Sequence, residues 1–186
     1  MVTIAAALLA VFIIRTFLFQ VVRVDGISMN PTLVNNERLF VSVLDMRLNG
    51  VERGDVVICH YPNRGRTNFV KRVVAVPGDV VYRENSQTHV VYEVIGEDGG
   101  AETVDEILDP VIAGKHHPYL NSPDYDGYTL GEDEYFVVGD NRYDSHDSRD
   151  WNDDDPRMDV GPITGDRIVG KVREVIWPVG SVRSVA

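Results

Sequence analysis

A mainly β core preceded by one N-terminal transmembrane helix is the fold class this 186-residue sequence predicts, and three observations predict it. Residues 1–24 hold no acid and are almost continuously apolar, whereas all 29 Asp and Glu lie from Asp25 onward. Beyond that point the apolar residues come in short runs rich in Val, Ile, Tyr and Phe, the types that suit a pleated, half-buried surface. Turn-forming residues separate the runs, at Asn49-Gly50, Pro62-Asn63, Pro77-Gly78-Asp79 and Gly99-Gly100.

The first element is residues 2–22, VTIAAALLAVFIIRTFLFQVV. As a helix it would span roughly 32 Å, about one bilayer core. Arg15, near its end, can snorkel to the headgroups. A cleaved leader would carry a charged start and a small-residue cleavage site after the apolar run, and FLFQVVRVDG offers neither. A core helix apolar on every face fits poorly at the head of so acidic a chain. Residues 1–22 are therefore expected to be an uncleaved anchor in a lipid bilayer, with no orientation readable from charge.

Strands are expected at 38–44, 55–61, 69–76, 79–83, 89–95, 134–138 and 167–177. Residues 96–131, rich in Asp, Glu, Gly and Pro, show only a weak strand pattern and are expected to be a short inserted subdomain or excursion. The domain plan is then an anchor at 1–22, a catalytic β core at 23–95 and 132–178, the insertion at 96–131 and a tail at 179–186.

Composition excludes several functions. A net charge of −11 argues against nucleic acid, whose phosphates require clustered Lys and Arg. Arg15 is the one base before Arg23, so the rest of the chain carries 17 of the 18 bases and all of the acids. That surface is consistent with salt or acid adaptation. Cys59 is the only cysteine, which rules out an internal disulfide and a multi-thiolate zinc site and leaves it as a buried strand residue. His116-His117 lack partner ligands at a recognisable spacing. Asp140 to Asp155, including the run Asp153-Asp154-Asp155, lack the central Gly and terminal Glu of a calcium loop. Ser145-His146-Asp147 has the residue types of a triad, but consecutive side chains do not easily converge on one point.

Ser28 lies in Gly26-Ile27-Ser28-Met29-Asn30-Pro31-Thr32-Leu33, just past the apolar segment. It suits either of two uses: capping a short helix begun by Pro31, or acting as a nucleophile that needs a base to take its proton. Candidate bases are few, because 15 of the 18 basic residues are Arg. Of the three lysines, Lys115 sits in the polar excursion and Lys171 in a late strand beside Gly170. Lys71 is mid-strand, sharing a face with Phe69 and Val73, while Val70, Arg72 and Val74 take the other. Two placements fit it: a stem on the sheet with its head in solvent, or burial, which disfavours the ammonium and leaves an amine able to act as general base.

Four blocks now stand in order behind the apolar segment: GISMNPTL at 26–33, RGDVVI at 53–58, KRVVAVPGD at 71–79 and GDNRYDSHDSRDW at 139–151. With them the chain resembles the bacterial type I signal peptidases, membrane-anchored serine endopeptidases that cut signal peptides from exported preproteins with a Ser/Lys dyad. The resemblance runs from the anchor to Pro178. It implies a twisted β-sheet or partly open barrel, with Ser28 as nucleophile and Lys71 as general base. Ser145 matches a second serine that hydrogen-bonds the lysine. Asp147 and Arg149 match one supporting charged pair, Arg72 and Asp140 another. Val24, Met29, Leu33, Phe69 and Val70 fall where shallow apolar pockets accept the small residues of an Ala-X-Ala site, and Asn68 to Val70 would border the extended substrate.

The resemblance further implies no metal and no cofactor, preprotein signal peptides and the bilayer as partners, and a single-pass enzyme of the plasma (inner) membrane facing outward from the cytoplasm. The Ser28 backbone N–H would serve the oxyanion. Gly26 stands where some members supply a hydroxyl as second donor, Asp25 where proline is frequent, and Asn152 where glycine follows the tryptophan. Lys71 separates the chain from endoplasmic-reticulum relatives, which use His there. Self-cleaving repressors share the dyad on a related core but carry a DNA-binding domain in place of the apolar segment. An inactive tethered β module that binds exported chains is the alternative of a different class.

Overall fold

The computed structural model describes residues 18–96, 99–109, 123–152 and 155–185, and two antiparallel sheets carry nearly all of its regular structure. In chain order the elements are β1 (Phe19–Arg23), β2 (Arg38–Ser42), α1 (Val43–Asn49), β3 (Val56–Cys59), β4 (Phe69–Ala75), β5 (Val80–Glu84), β6 (Gln87–Ile95), β7 (Ala101–Ile107), β8 (Tyr125–Thr129), β9 (Glu134–Val138), β10 (Ile163–Thr164), β11 (Ile168–Trp177) and β12 (Arg183–Ser184). The main sheet runs β1-β2-β11-β3-β4-β9-β10, with β12 added to β11. The second runs β7-β6-β5-β8.

Burial explains the arrangement. Every residue of β3, Val-Val-Ile-Cys, is buried, which a strand achieves only when both faces of its sheet are covered. One face packs Val56, Ile58, Val41, Val172, Met29 and Leu33 into a first cluster. The opposite face packs Val57, Cys59, Val73, Val137 and Ile163 into a second. A third cluster, with Val74, Ala75, Phe136 and Val138 from the main sheet and Val81 and Val90 from the other, joins the two sheets. Strand β4 contributes to all three: Val70 packs against the first, Phe69 and Val73 belong with the second, and Val74 and Ala75 lie in the third.

The architecture is mainly β, as the patterning predicts, but several elements differ. Phe19–Val22, expected to end the anchor helix, are strand: Phe19 pairs with Ser42 and Val22 with Leu39. Their apolar side chains fit a sheet edge as well as a helix, and backbone pairing with β2 decides between them. Residues 1–17 lie outside the described residues, and among those described no helix is long and apolar enough to cross a membrane.

The 96–131 excursion contains β7 and β8, which complete the second sheet. Both strands are largely exposed, so they lack the apolar alternation that betrays a strand. The 179–186 tail is integrated too, since β12 pairs with β11 and Val185 is buried. Residues 43–44, read as strand, begin α1 instead. Ser42 Oγ accepts the Asp45 N–H at 3.1 Å as its N-cap, and Gly50 at φ 70° ends it.

Candidate active site

Ser28 lies in the turns of residues 26–33 that follow β1, and no helix begins at Pro31 for it to cap. The Asn141 N–H donates to the Ser28 carbonyl at 3.0 Å, and the Asn141 side-chain amide to the Ile27 carbonyl at 3.2 Å. These bonds dock the Ser28 turn onto the segment that follows β9. Lys71, 2% exposed, reaches the same place from β4, with its Nζ 2.8 Å from Ser28 Oγ. As an ammonium Nζ donates in this contact; as a neutral amine it accepts the hydroxyl proton.

Strand alternation accounts for the lysine. Lys71 pairs with buried Val57 of β3 and shares its face with Phe69 and Val73, so its side chain leaves the strand on the side of the second apolar cluster. Burial pushes its pKa below the ordinary lysine value and outweighs the opposing pull of the Asp147 charge. Arg72 faces the other way. Its guanidinium grips the Asp140 carboxylate through two bonds of 2.8 Å and also donates to the Gly54 carbonyl at 2.6 Å. Although burial opposes it, the Arg72 contact keeps the Asp140 carboxyl below its usual range.

A tight turn at 141–150 closes the site. Asp147 and Arg149 are fully buried and paired bidentately, both bonds being 2.9 Å. Burial alone would raise the Asp147 pKa, but the Arg149 charge and hydrogen bonds overcome it and hold the carboxyl at about 2. Asp147 Oδ2 also accepts the Gly139 N–H at 3.0 Å. A Cβ at Gly139 would overlap both Ser145 Oγ and the Ser28 carbonyl, so glycine there lets three backbone segments meet. Ser145 is buried against this junction. Its hydroxyl completes no hydrogen bond, to Lys71 or to any other described group, whereas the resemblance implies one to the lysine.

The residues expected to line substrate pockets fall on both faces of β4. Val24, Met29 and Leu33 are core residues of the first cluster, with Val70 packed on them. Phe69 lies on the second, stacked on Tyr61 with ring centroids 4.0 Å apart. Asn68 is exposed and bonded to His60, and Gly26 is exposed at φ 119°. Strand β4 pairs with β3 over residues 69–72 but with β9 only over 72–75, so beside Lys71 the β9 side of residues 69–71 is an unpaired strand edge.

Sequence reasoning missed Asp109, which follows β7 and accepts from Arg149 at 2.8 Å, from the Thr88 N–H at 2.6 Å and lies 3.7 Å from buried Arg83. It also missed Gly139 and Asp150. Lys171, set aside as a base, is buried as deeply as Lys71 but is engaged by Asp55 at 2.8 Å. Cys59 is buried on β3, as its pattern predicts, and desolvation pushes its thiol up to about 12. Among the described residues no three His, Cys, Asp or Glu converge as a metal site, and His116-His117 lie outside them.

Known proteins resemble this chain along most of its length. The family described as signal peptidase, peptidase S26, matches residues 1–177. A signal peptidase I P of Bacillus subtilis subsp. natto is 34% identical over 178 residues, covering 95% of this chain and 87% of its own. A signal peptidase I of Pseudomonas aeruginosa is 32% identical over 199 residues, covering 92% of this chain and 70% of its own. The crystal structure of a signal peptidase I from Enterococcus faecalis aligns with 65% of this chain and 95% of its own, at 22% identity and a TM-score of 0.39.

Proposed function

From the premise that the chain belongs to the signal peptidase family, peptidase S26, and is a serine peptidase that removes signal peptides, we propose that Ser28 is its nucleophile and Lys71 its general base. The observation that carries this reading is the 2.8 Å approach of Lys71 Nζ to Ser28 Oγ, made by a lysine whose burial favours the neutral amine. Neutral Lys71 takes the Ser28 proton as Oγ bonds to the scissile carbonyl carbon. The Ser28 N–H stabilises the oxyanion, and the Lys71 ammonium returns its proton to the departing amine. Water then gives a proton to Lys71 and attacks the acyl ester, and the Lys71 ammonium passes that proton to Ser28 Oγ as the ester bond breaks, freeing the signal peptide carboxylate and restoring both residues.

Substrate enters as an extended chain along the open edge at Asn68 to Val70, with small residues at the cleavage site accommodated near Phe69, Val70 and the surface over Met29 and Leu33. Ser145, whose buried hydroxyl has no hydrogen bond among the described residues, turns to the lysine and steadies it when substrate is bound, while the Asp147–Arg149 and Arg72–Asp140 pairs hold the surrounding segments in register. Residues 1–17 anchor the enzyme in the plasma membrane, with the catalytic part on its outer side.

The test is mass-spectrometric mapping of an exported preprotein incubated with the purified full chain in detergent. Cleavage after a small residue is expected, with a loss of about a thousandfold or more in kcat for both Ser28→Ala and Lys71→Ala. Retained processing by Lys71→Ala overturns the dyad. Binding of the preprotein without any cut supports the inactive module instead.

A further inference from the structure

Asp150 is fully buried in the same turn as Ser145 and Asp147, and the reading above gives it no task. Its Oδ2 accepts two hydrogen bonds, from the Asp147 backbone N–H at 3.0 Å and from His146 Nδ1 at 2.9 Å. Its other oxygen is buried without a hydrogen-bond partner among the described residues, and so is His146 Nε2. The His146 carbonyl accepts from Tyr61 OH at 2.7 Å. Tyr61 in turn stacks on Phe69, two residues before Lys71 on β4. The pair is thus fastened both to the turn that carries Ser145 and to the strand that carries the lysine.

A buried carboxylate needs a counter-charge. Arg149, the nearby guanidinium, is engaged by Asp147 and Asp109, and the ion-pair partner of Asp150 is His146, whose charge depends on its proton. The charged and titratable groups that the Asp150 charge reaches are Lys71 on β4 and Tyr61 just after β3, with Asp147 and Arg149 in the same turn. Behind it the Val160 and Gly161 N–H groups donate to the Asp150 carbonyl. The Asp150 charge acts on Lys71 in the direction that favours its ammonium.

Resting on the Ser28/Lys71 reading, we propose that His146 and Asp150 are a positioning pair for that reaction. Asp150 holds the turn that carries Ser145, and the proton on His146 sets how much of the Asp150 charge reaches Lys71. With His146 neutral, the carboxylate promotes the ammonium, which cannot act as a base. With His146 protonated, the pair has no net charge and Lys71 keeps its lone pair.

The experiment is the dependence of kcat/KM on pH, from about pH 5 to pH 10, for the full chain cleaving a preprotein, with His146→Gln, Asp150→Asn and Lys71→Ala compared. His146→Gln is expected to move the acid limb to higher pH and Asp150→Asn to lower pH, each by about half a unit or more. A merely structural role would lower the rate at every pH without moving the limb, and that result, or shifts of both variants in the same direction, overturns the proposal. Should Asp150→Asn not fold, His146→Gln decides alone, because its side chain is only partly buried. Activity surviving in Lys71→Ala refutes the dyad itself; an inactive Lys71→Ala beside unmoved limbs refutes only the pair.

Discussion

Gly139 stands where the end of β9, the Ser28 carbonyl and the Ser145 hydroxyl meet, and the smallest side chain would push them apart. Gly139→Ala is expected to lower kcat about a hundredfold and stability by about 2 kcal/mol, read by preprotein cleavage and urea unfolding. A fully active Ala variant would show that the junction has slack. Asp147 gives a prediction of a different kind. Its carboxyl stays charged down to about pH 2 in the fold against an ordinary 3.8, so the stability it contributes is complete above the unfolded value and lost as the pH falls toward 2. That contribution is on the order of 2 kcal/mol. Asp147→Asn is expected to be less stable near neutrality and to lose less stability on acidification, as followed by circular dichroism. Lys71 acts in the same sense at higher pH, since the fold favours its neutral form and its burial costs less as the pH rises toward the ordinary lysine range.

At the scale of elements, α1 and the second sheet separate stability from chemistry. Ser42→Ala removes the cap of α1 and is expected to cost about 1 kcal/mol in thermal unfolding while leaving kcat unchanged. Asp109→Ala leaves buried Arg149 and Arg83 short of a carboxylate, and about 3 kcal/mol of destabilisation should follow, together with reduced turnover. What the sequence revealed follows the same division. Strands β3, β4, β9 and β11 were legible because Val and Ile must be buried on defined faces, and Lys71 stood out because lysine is scarce and this one interrupts such a face. Strands β7 and β8 were hidden by exposed polar residues, and α1 by an apolar run that passes through its cap without a break. Asp109, His146 and Asp150 were illegible as parts of the site because their partners come from chain turns brought together only by folding; an aspartate among 29 acids carries no mark of burial.

The whole molecule carries far more negative than positive charge, so its surface repels itself, and screening should relieve that strain. Tm is expected to rise as NaCl increases from about 10 mM to about 0.5 M, and a Tm that falls would mean that attractive surface pairs dominate. Charge can drift in this way because it is spread over many exposed positions, but β4 allows no such drift. It meets all three apolar clusters, and its alternation points Lys71 at Ser28 and Arg72 at Asp140. Slipping the strand by a single residue exchanges the two, presenting to Ser28 a guanidinium that cannot take up a proton. On the Ser28/Lys71 reading, descent can therefore lengthen the loops around this strand and substitute its apolar residues, but a lineage that gains or loses one codon within 69–75 loses the enzyme in a single step.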